Sequence, residues 1–114
     1  MHELKATKDM IALLERICME KNIKAPAIIS AEIGELTTYR AETIKHYFDI
    51  LKKESPVLEG TKLDITEVKA MVLCRMCGKK NEIEPNVMLC PHCGAPDIEV
   101  LSGEDFNIKN IKVD

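Results

Sequence analysis

The sequence predicts an α+β fold: two helices on a three-stranded sheet, with a zinc-ribbon-like four-cysteine domain inserted into it. Three observations predict it. Apolar residues recur at helical spacing in two stretches, and they alternate with polar ones in three others. Between the second and third of these strands both patterns give way to paired cysteines among Gly and Pro. Residues 1–69 and 104–114 are then the α/β domain, and residues 70–103 the insert.

Residues 3–21 read as the first helix, with Leu4, Thr7, Ile11, Leu14 and Cys18 at three- and four-residue steps and Met10 and Ile17 widening the stripe. Glu3 suits the positive end of its dipole, and Lys21 and Asn22 are stop signals. Residues 27–33 alternate as a strand, with Ile29, Ala31 and Ile33 on one face. Pro26 precedes it, where a missing N–H does least harm. The second helix spans residues 39–53, capped by Thr37 or Thr38, with Ile44, Tyr47, Phe48 and Leu51 as its apolar face. Lys52 and Lys53 suit its C-terminal end, and Pro56 prevents its continuation. Residues 62–68 form the next strand, and residues 105–113 the last. In the last, Phe106 and Ile108 share one phase and Ile111 and Val113 the other, which predicts a bulge or bend near Asn110.

Composition excludes several functions. The chain has 114 residues and a net charge of −3, from 16 basic and 19 acidic residues. A nucleic-acid binder needs a positive surface to displace counterions from phosphates. Only four aromatic residues are present and no Trp, so base-stacking platforms are poorly supplied. The longest run without Asp, Glu, Lys or Arg is twelve residues, Pro85 to Pro96, against the roughly 20 a membrane span needs. The first residues lack the basic-then-apolar pattern of a signal peptide, so the expected compartment is the reducing cytoplasm.

In that compartment close cysteine pairs read as metal ligands before disulfides. Cys74-Arg75-Met76-Cys77-Gly78 and Cys90-Pro91-His92-Cys93-Gly94 are two C-x-x-C-G knuckles, separated by twelve residues. A two-residue gap lets both thiolates of a knuckle turn to one ion, and the glycine permits the backbone twist beneath the sulfur. Four converging thiolates make a closed, structural zinc site on Cys74, Cys77, Cys90 and Cys93. Iron on the same ligands, a redox dithiol and paired disulfides are the alternatives. Arg75, Lys79 and Lys80 against Glu82 and Glu84 leave a net of +1 between Cys74 and Cys93, a weak basic patch. His92, between two ligands, reads as a surface residue with an auxiliary-ligand role as the alternative. Cys18 reads as core, His46 as a solvated helix residue, and Glu35 as a carboxylate at a strand end.

At the N-terminus, a free α-amine, the deprotonated amide of residue 2 and the His2 imidazole form adjoining chelate rings, which the amide of Glu3 can complete to a square plane. Square-planar nitrogen suits Ni(II) or Cu(II). With Met1-His2-Glu3-Leu4 go Ile33-Gly34-Glu35-Leu36, Leu58-Glu59-Gly60, the two knuckles, and Val100-Leu101-Ser102-Gly103-Glu104 before the final strand. In this order, over nearly the whole chain, these motifs resemble the HypA/HybF family of hydrogenase nickel-incorporation proteins.

The resemblance implies a nickel metallochaperone for [NiFe]-hydrogenase maturation, not an enzyme. It implies Ni(II) as transferable cargo on Met1, His2 and Glu3, and Zn(II) on the four cysteines. Its implied partners are the GTPase HypB, the hydrogenase large subunit and, in some organisms, urease maturation proteins, with no nucleic acid and no membrane. Some members carry a further carboxylate after the IGEL-like motif. The corresponding stretch here, Thr37-Thr38-Tyr39-Arg40-Ala41-Glu42, assigns none. The rival reading is a zinc-ribbon adaptor that binds protein or nucleic acid and carries no transferable metal.

Overall fold

The protein is known from a computed structural model, and the described residues are 2–114. Its elements run α1 (His2–Glu20), β1 (Ile28–Gly34), a 3-10 turn (Glu35–Thr37), α2 (Ala41–Leu51), a second 3-10 turn (Lys52–Glu54), β2 (Lys62–Val68), β3 (Met71–Cys74), β4 (Lys80–Glu82), β5 (Ile98–Ser102) and β6 (Phe106–Lys112). They form two three-stranded sheets, ordered β2-β1-β6 and β4-β3-β5. The chain packs as two compact units. One runs from α1 to Glu32, through Tyr39–Thr66 and Asn107–Asp114; the other holds Ile33–Thr38 and Glu67–Phe106. Among the described residues no helix is long and apolar enough to cross a membrane.

In the first unit, α1 buries Thr7, Met10, Ile11, Leu14 and Cys18, and α2 packs against it with Ile44 and Phe48 buried. Ile29 and Ala31 of β1, Leu58 and Leu63 complete this core. Fully burying side chains of this size is worth about 1.5–3 kcal/mol each. Polar groups inside it are satisfied. Thr7 Oγ1 donates to the Glu3 carbonyl at 2.6 Å, and Thr61 Oγ1 donates to the Pro26 carbonyl at 2.6 Å. Ser55 Oγ donates to Glu15 Oε2 at 2.8 Å and accepts from the Leu58 amide at 3.3 Å. Among the described residues no buried side-chain nitrogen or oxygen lacks a partner.

Three details differ from the sequence expectation. Leu4 is exposed, because α1 begins at His2 and its first turn carries the stripe past the core. α2 begins at Ala41 with Arg40 as N-cap, and neither threonine caps it. Thr37 Oγ1 instead donates to the Gly34 carbonyl at 2.8 Å, and Thr38 takes left-handed φ. The chain spends residues 35–38 on a turn before it can enter the helix. At the other end the expected stop holds: the Lys52 amide closes on the Phe48 carbonyl, and Lys52 Nζ donates to the Thr61 carbonyl at 2.9 Å.

The second unit is built on β3, which pairs antiparallel with both β4 and β5. Ala70, Val72 and Ile83 are its buried core, covered by Leu36, Ile98 and Val100. By packing, residues 33–38, 67–69 and 104–106 belong to the same unit as residues 70–103. Backbone hydrogen bonds show why. The Gly34 amide donates to the Asp105 carbonyl at 2.9 Å, and the Leu36 amide to the Gly103 carbonyl at 2.8 Å. Glu35 Oε1 accepts from the Ala70 amide at 2.7 Å.

This stitching needs two glycines. A Cβ on Gly34 would lie 2.1 Å from the Gly103 carbonyl oxygen. Gly103 has φ +96°, and a Cβ there would lie 2.8 Å from the Ala70 Cα. Gly103→Ala should therefore lower stability by about 2 kcal/mol or more, from left-handed strain plus the backbone clash. Gly60→Ala, where a Cβ meets nothing within 4 Å, should stay within about 0.5 kcal/mol of wild type. Urea midpoints of the two variants check both.

Candidate metal centre

The two knuckles are built alike. Cys74 ends β3, and its amide donates to the Lys79 carbonyl at 3.0 Å while its carbonyl accepts from the Gly78 amide at 2.8 Å. In the second knuckle the Cys90 amide donates to the Ala95 carbonyl at 2.9 Å, and the Cys90 carbonyl accepts from the Gly94 amide at 2.8 Å. Gly78 and Gly94 take φ +73° and +77°, the left-handed conformation that glycine enters without steric cost. In each knuckle the second cysteine's amide donates to the first one's sulfur, Cys77 N to Cys74 Sγ and Cys93 N to Cys90 Sγ, both at 3.4 Å.

The four sulfurs converge. Cys74 Sγ lies 3.6 Å from Cys93 Sγ, and Cys77 Sγ lies 3.8 Å from Cys90 Sγ. All four lie within 4.8 Å of one another. With zinc–sulfur bonds of about 2.3 Å, a regular tetrahedron has sulfur–sulfur edges of about 3.8 Å. The donor set thus fits a zinc ion, with every coordination position taken. Among the described residues these cysteines are the one cluster of three or more His, Cys, Asp or Glu able to hold an ion.

Burial and charge divide the four. Cys74 and Cys90 are buried, Cys77 is half-buried and Cys93 is exposed. With no cation present, the Cys93 N–H holds Cys90 down at about 7, against the opposing effect of burial and with help from the His92 N–H. At Cys93 the Ala95 N–H also favours the thiolate, but the sulfurs of Cys74, Cys90 and Cys77 and burial outweigh it and push it up to about 11. The Cys77 N–H lowers Cys74. Four thiolates this close repel one another, so the cluster keeps protons until a cation replaces them.

Two features of the site were not read from the sequence. Asn81 Nδ2 donates toward Cys90 Sγ at 3.9 Å, from a β4 position paired with Val72. Arg75 clamps the first knuckle to the strand after the second. Its amide donates to the Asp97 carbonyl at 3.0 Å, and its guanidinium meets Asp97 at 2.9 Å and Glu99 at 3.6 Å. The only signal for either was a polar residue close to a ligand, and that signal occurs throughout this segment.

The N-terminal candidates lie on α1. His2 is exposed in its first turn and Glu3 is half-buried. Glu3 Oε2 accepts from the Arg40 amide at 3.3 Å. Met1, the third expected nickel ligand, lies outside the described residues. His92 and His46 are exposed, and Cys18 is buried in the first core, where burial pushes its thiol up.

Metal binding by the cysteines must expel the protons that remain on the cluster. Affinity should therefore fall as pH is lowered from neutral, with metal released in acid. Converting Cys74 to Ala should drop metal content from one ion per chain to near zero and remove amide-exchange protection from β3–β5, while the helical circular dichroism of the first unit persists. Metal analysis and exchange mapping check both.

Comparison with known proteins extends this geometry. Residues 1–113 match the family model described as "Hydrogenase/urease nickel incorporation, metallochaperone, hypA". The hydrogenase maturation factor HypA of Moorella thermoacetica is 34% identical over 95% of both chains, and that of Caldanaerobacter subterraneus is 34% identical over 100% of both. The solution structure of the Ni metallochaperone HypA from Helicobacter pylori superposes with a TM-score of 0.73 at 20% identity, covering 99% of this chain and 97% of that one. That likeness establishes the shared fold.

Proposed function

The chain belongs to the HypA family of hydrogenase/urease nickel-incorporation metallochaperones, and on that premise we propose that it binds Ni(II) at its N-terminus and helps insert it into [NiFe]-hydrogenase. The family is one of metallochaperones, not enzymes. The whole-chain family match is the observation that carries the reading. In this reading Met1, His2 and Glu3 hold the nickel, and Cys74, Cys77, Cys90 and Cys93 hold a structural zinc. Residues 1–69 and 104–114 are the nickel domain, and residues 70–103 the zinc domain. The GTPase HypB and the hydrogenase large subunit are the proposed partners, with urease maturation proteins as a further set, and the cytoplasm is the proposed compartment.

The chemistry supports the division between the two metals. A tetrahedron of four thiolates leaves no open position, and it holds zinc rather than passing it on. The N-terminus offers nitrogen donors, which suit square-planar Ni(II). α1 begins at His2. The first amides of a helix have no acceptor within it, so the amides of residues 2 and 3 can lose their protons to a metal without breaking a helical hydrogen bond. His2 is exposed and held in no core, so a metal can recruit its imidazole without disturbing the fold.

His2→Ala should weaken nickel binding by more than about 100-fold, beyond the cost of removing an outer-shell partner at a metal site, and should leave the unfolding midpoint unchanged. Acetylating the α-amine, or adding residues before Met1, should do the same while zinc content stays constant. Nickel titration by calorimetry on the free, acetylated and extended forms is the test. Equal affinities would overturn the N-terminal assignment. Binding should also weaken in acid, since the imidazole must be neutral and the amides deprotonated.

A further inference from the structure

We propose that Cys93 is the covalent modification site of the metal centre: small electrophiles reach its sulfur first, and peroxide couples it to Cys74 with release of the metal. The proposal rests on the zinc reading given above. With a divalent ion bound, all four sulfurs are thiolates, so the distribution of protons no longer separates them. Access does.

The four ligands differ sharply in access. Cys74 is 0% exposed and Cys90 2%, and Cys77 is half-buried, whereas Cys93 is exposed. Pro91, His92 and Gly94, its neighbours in the knuckle, are exposed too. A backbone N–H faces every one of the four sulfurs, from Cys77 and Cys93 at 3.4 Å onto Cys74 and Cys90 and from Lys79 and Ala95 onto Cys77 and Cys93, so backbone hydrogen bonding singles out none of them. Burial is what denies a sulfur to solutes. Cys18, the remaining cysteine, is 1% exposed in the first core. Thiol reactivity follows thiolate character and exposure together, and among the five cysteines Cys93 is the one that combines them.

The step with hydrogen peroxide balances without other reactants. The Cys93 thiolate attacks one peroxide oxygen. The S–O bond forms as the O–O bond breaks, hydroxide leaves, and the sulfur is oxidised by two electrons to the sulfenic acid. The Cys74 thiolate, 3.6 Å away, then attacks the Cys93 sulfur. The S–S bond forms, the S–O bond breaks and a second hydroxide departs. Two of the four ligands are consumed, and the ion is left with Cys77 and Cys90 alone. Each disulfide should therefore release one metal ion.

The experiment uses the full-length, metal-loaded protein. Its zinc content is measured first; a chain without zinc would overturn the zinc reading itself, independently of the order of reaction. Substoichiometric iodoacetamide is then added under native conditions and the adducts are mapped by peptide mass spectrometry. Cys93 should carry at least about fivefold more label than any other cysteine. In parallel, one equivalent of hydrogen peroxide is added with a chromogenic chelator present. Zinc release should track formation of a Cys74–Cys93 disulfide one to one. First labelling at Cys74, Cys77, Cys90 or Cys18, a disulfide joining any other pair, or no reaction until the protein unfolds would each overturn the proposal.

Discussion

The second unit depends on one constraint, the meeting of four sulfurs at a point. Besides the cysteines, its buried apolar side chains are Ile33, Ala70, Val72 and Ile83. Four side chains, one of them a methyl, cannot offset the entropy of ordering 46 residues at about 1–2 kcal/mol each. Backbone pairing in a three-stranded sheet contributes little net stability beyond satisfying its own polar groups. A bound ion changes this balance, because the ligands gather only in the folded chain and binding energy becomes folding energy. The geometry around the sulfurs is accordingly specified in detail. The two knuckles repeat the same amide–sulfur bonds, the same carbonyl closures and the same left-handed glycine.

Outside the knuckles the same unit is held by backbone contacts rather than by bulk. Residues 33–38 reach it through the Gly34 and Leu36 amides and the Glu35 carboxylate. Such approaches are possible only where side chains are missing, which is why Gly34 and Gly103 face each other. The IGEL-like segment and the Ser102-Gly103-Glu104 segment lie far apart in sequence, yet one hydrogen-bonded junction accounts for both. The first unit works in the opposite way. Leu14, Ile29, Ile44 and Phe48 are wholly buried, and its order comes from apolar area, with a few satisfied hydroxyls tying the loops around it.

Legibility in the sequence followed from how local the determinants are. β1 alternates through Ile33 and β2 through Thr66, and their buried residues match that alternation: Ile29, Ala31 and Ile33 in one, Leu63 in the other. The phase break in β6 is also present, with Lys109 and Asn110 both exposed between half-buried Ile108 and Ile111. The cysteine cluster was readable because its spacing is a local code for knuckle geometry. What was not readable depends on long-range pairing. Thr37 and Thr38 have the chemistry of caps, but the pairing of residues 34–36 with 103–105 fixes a 3-10 turn there first. Glu35 looked like a loop carboxylate because nothing nearby in sequence announces the Ala70 amide. The β3–β4–β5 sheet escaped helix and strand periodicity because its strands are short and only half-covered.

The two proposed metal sites make opposite demands on the chain, and its architecture answers each. A structural ion must not leave, so its ligands should be rigid, numerous and screened from water. Three of the four sulfurs are at least partly buried, and the knuckle backbone is fully engaged around them. A cargo ion must leave, so its ligands should sit where they can be displaced without unfolding anything. The first turn of an exposed helix start meets that demand. Its first amides have no backbone carbonyl to bond within the helix, and its histidine is solvent-facing. The softness of the donors reinforces the division. Thiolate sulfur favours the closed tetrahedron of zinc, and deprotonated nitrogen favours the open plane of nickel. Under the proposed assignment one small chain keeps one metal as part of its fold and handles another as freight, because the two sets of donors differ in chemistry as well as in burial.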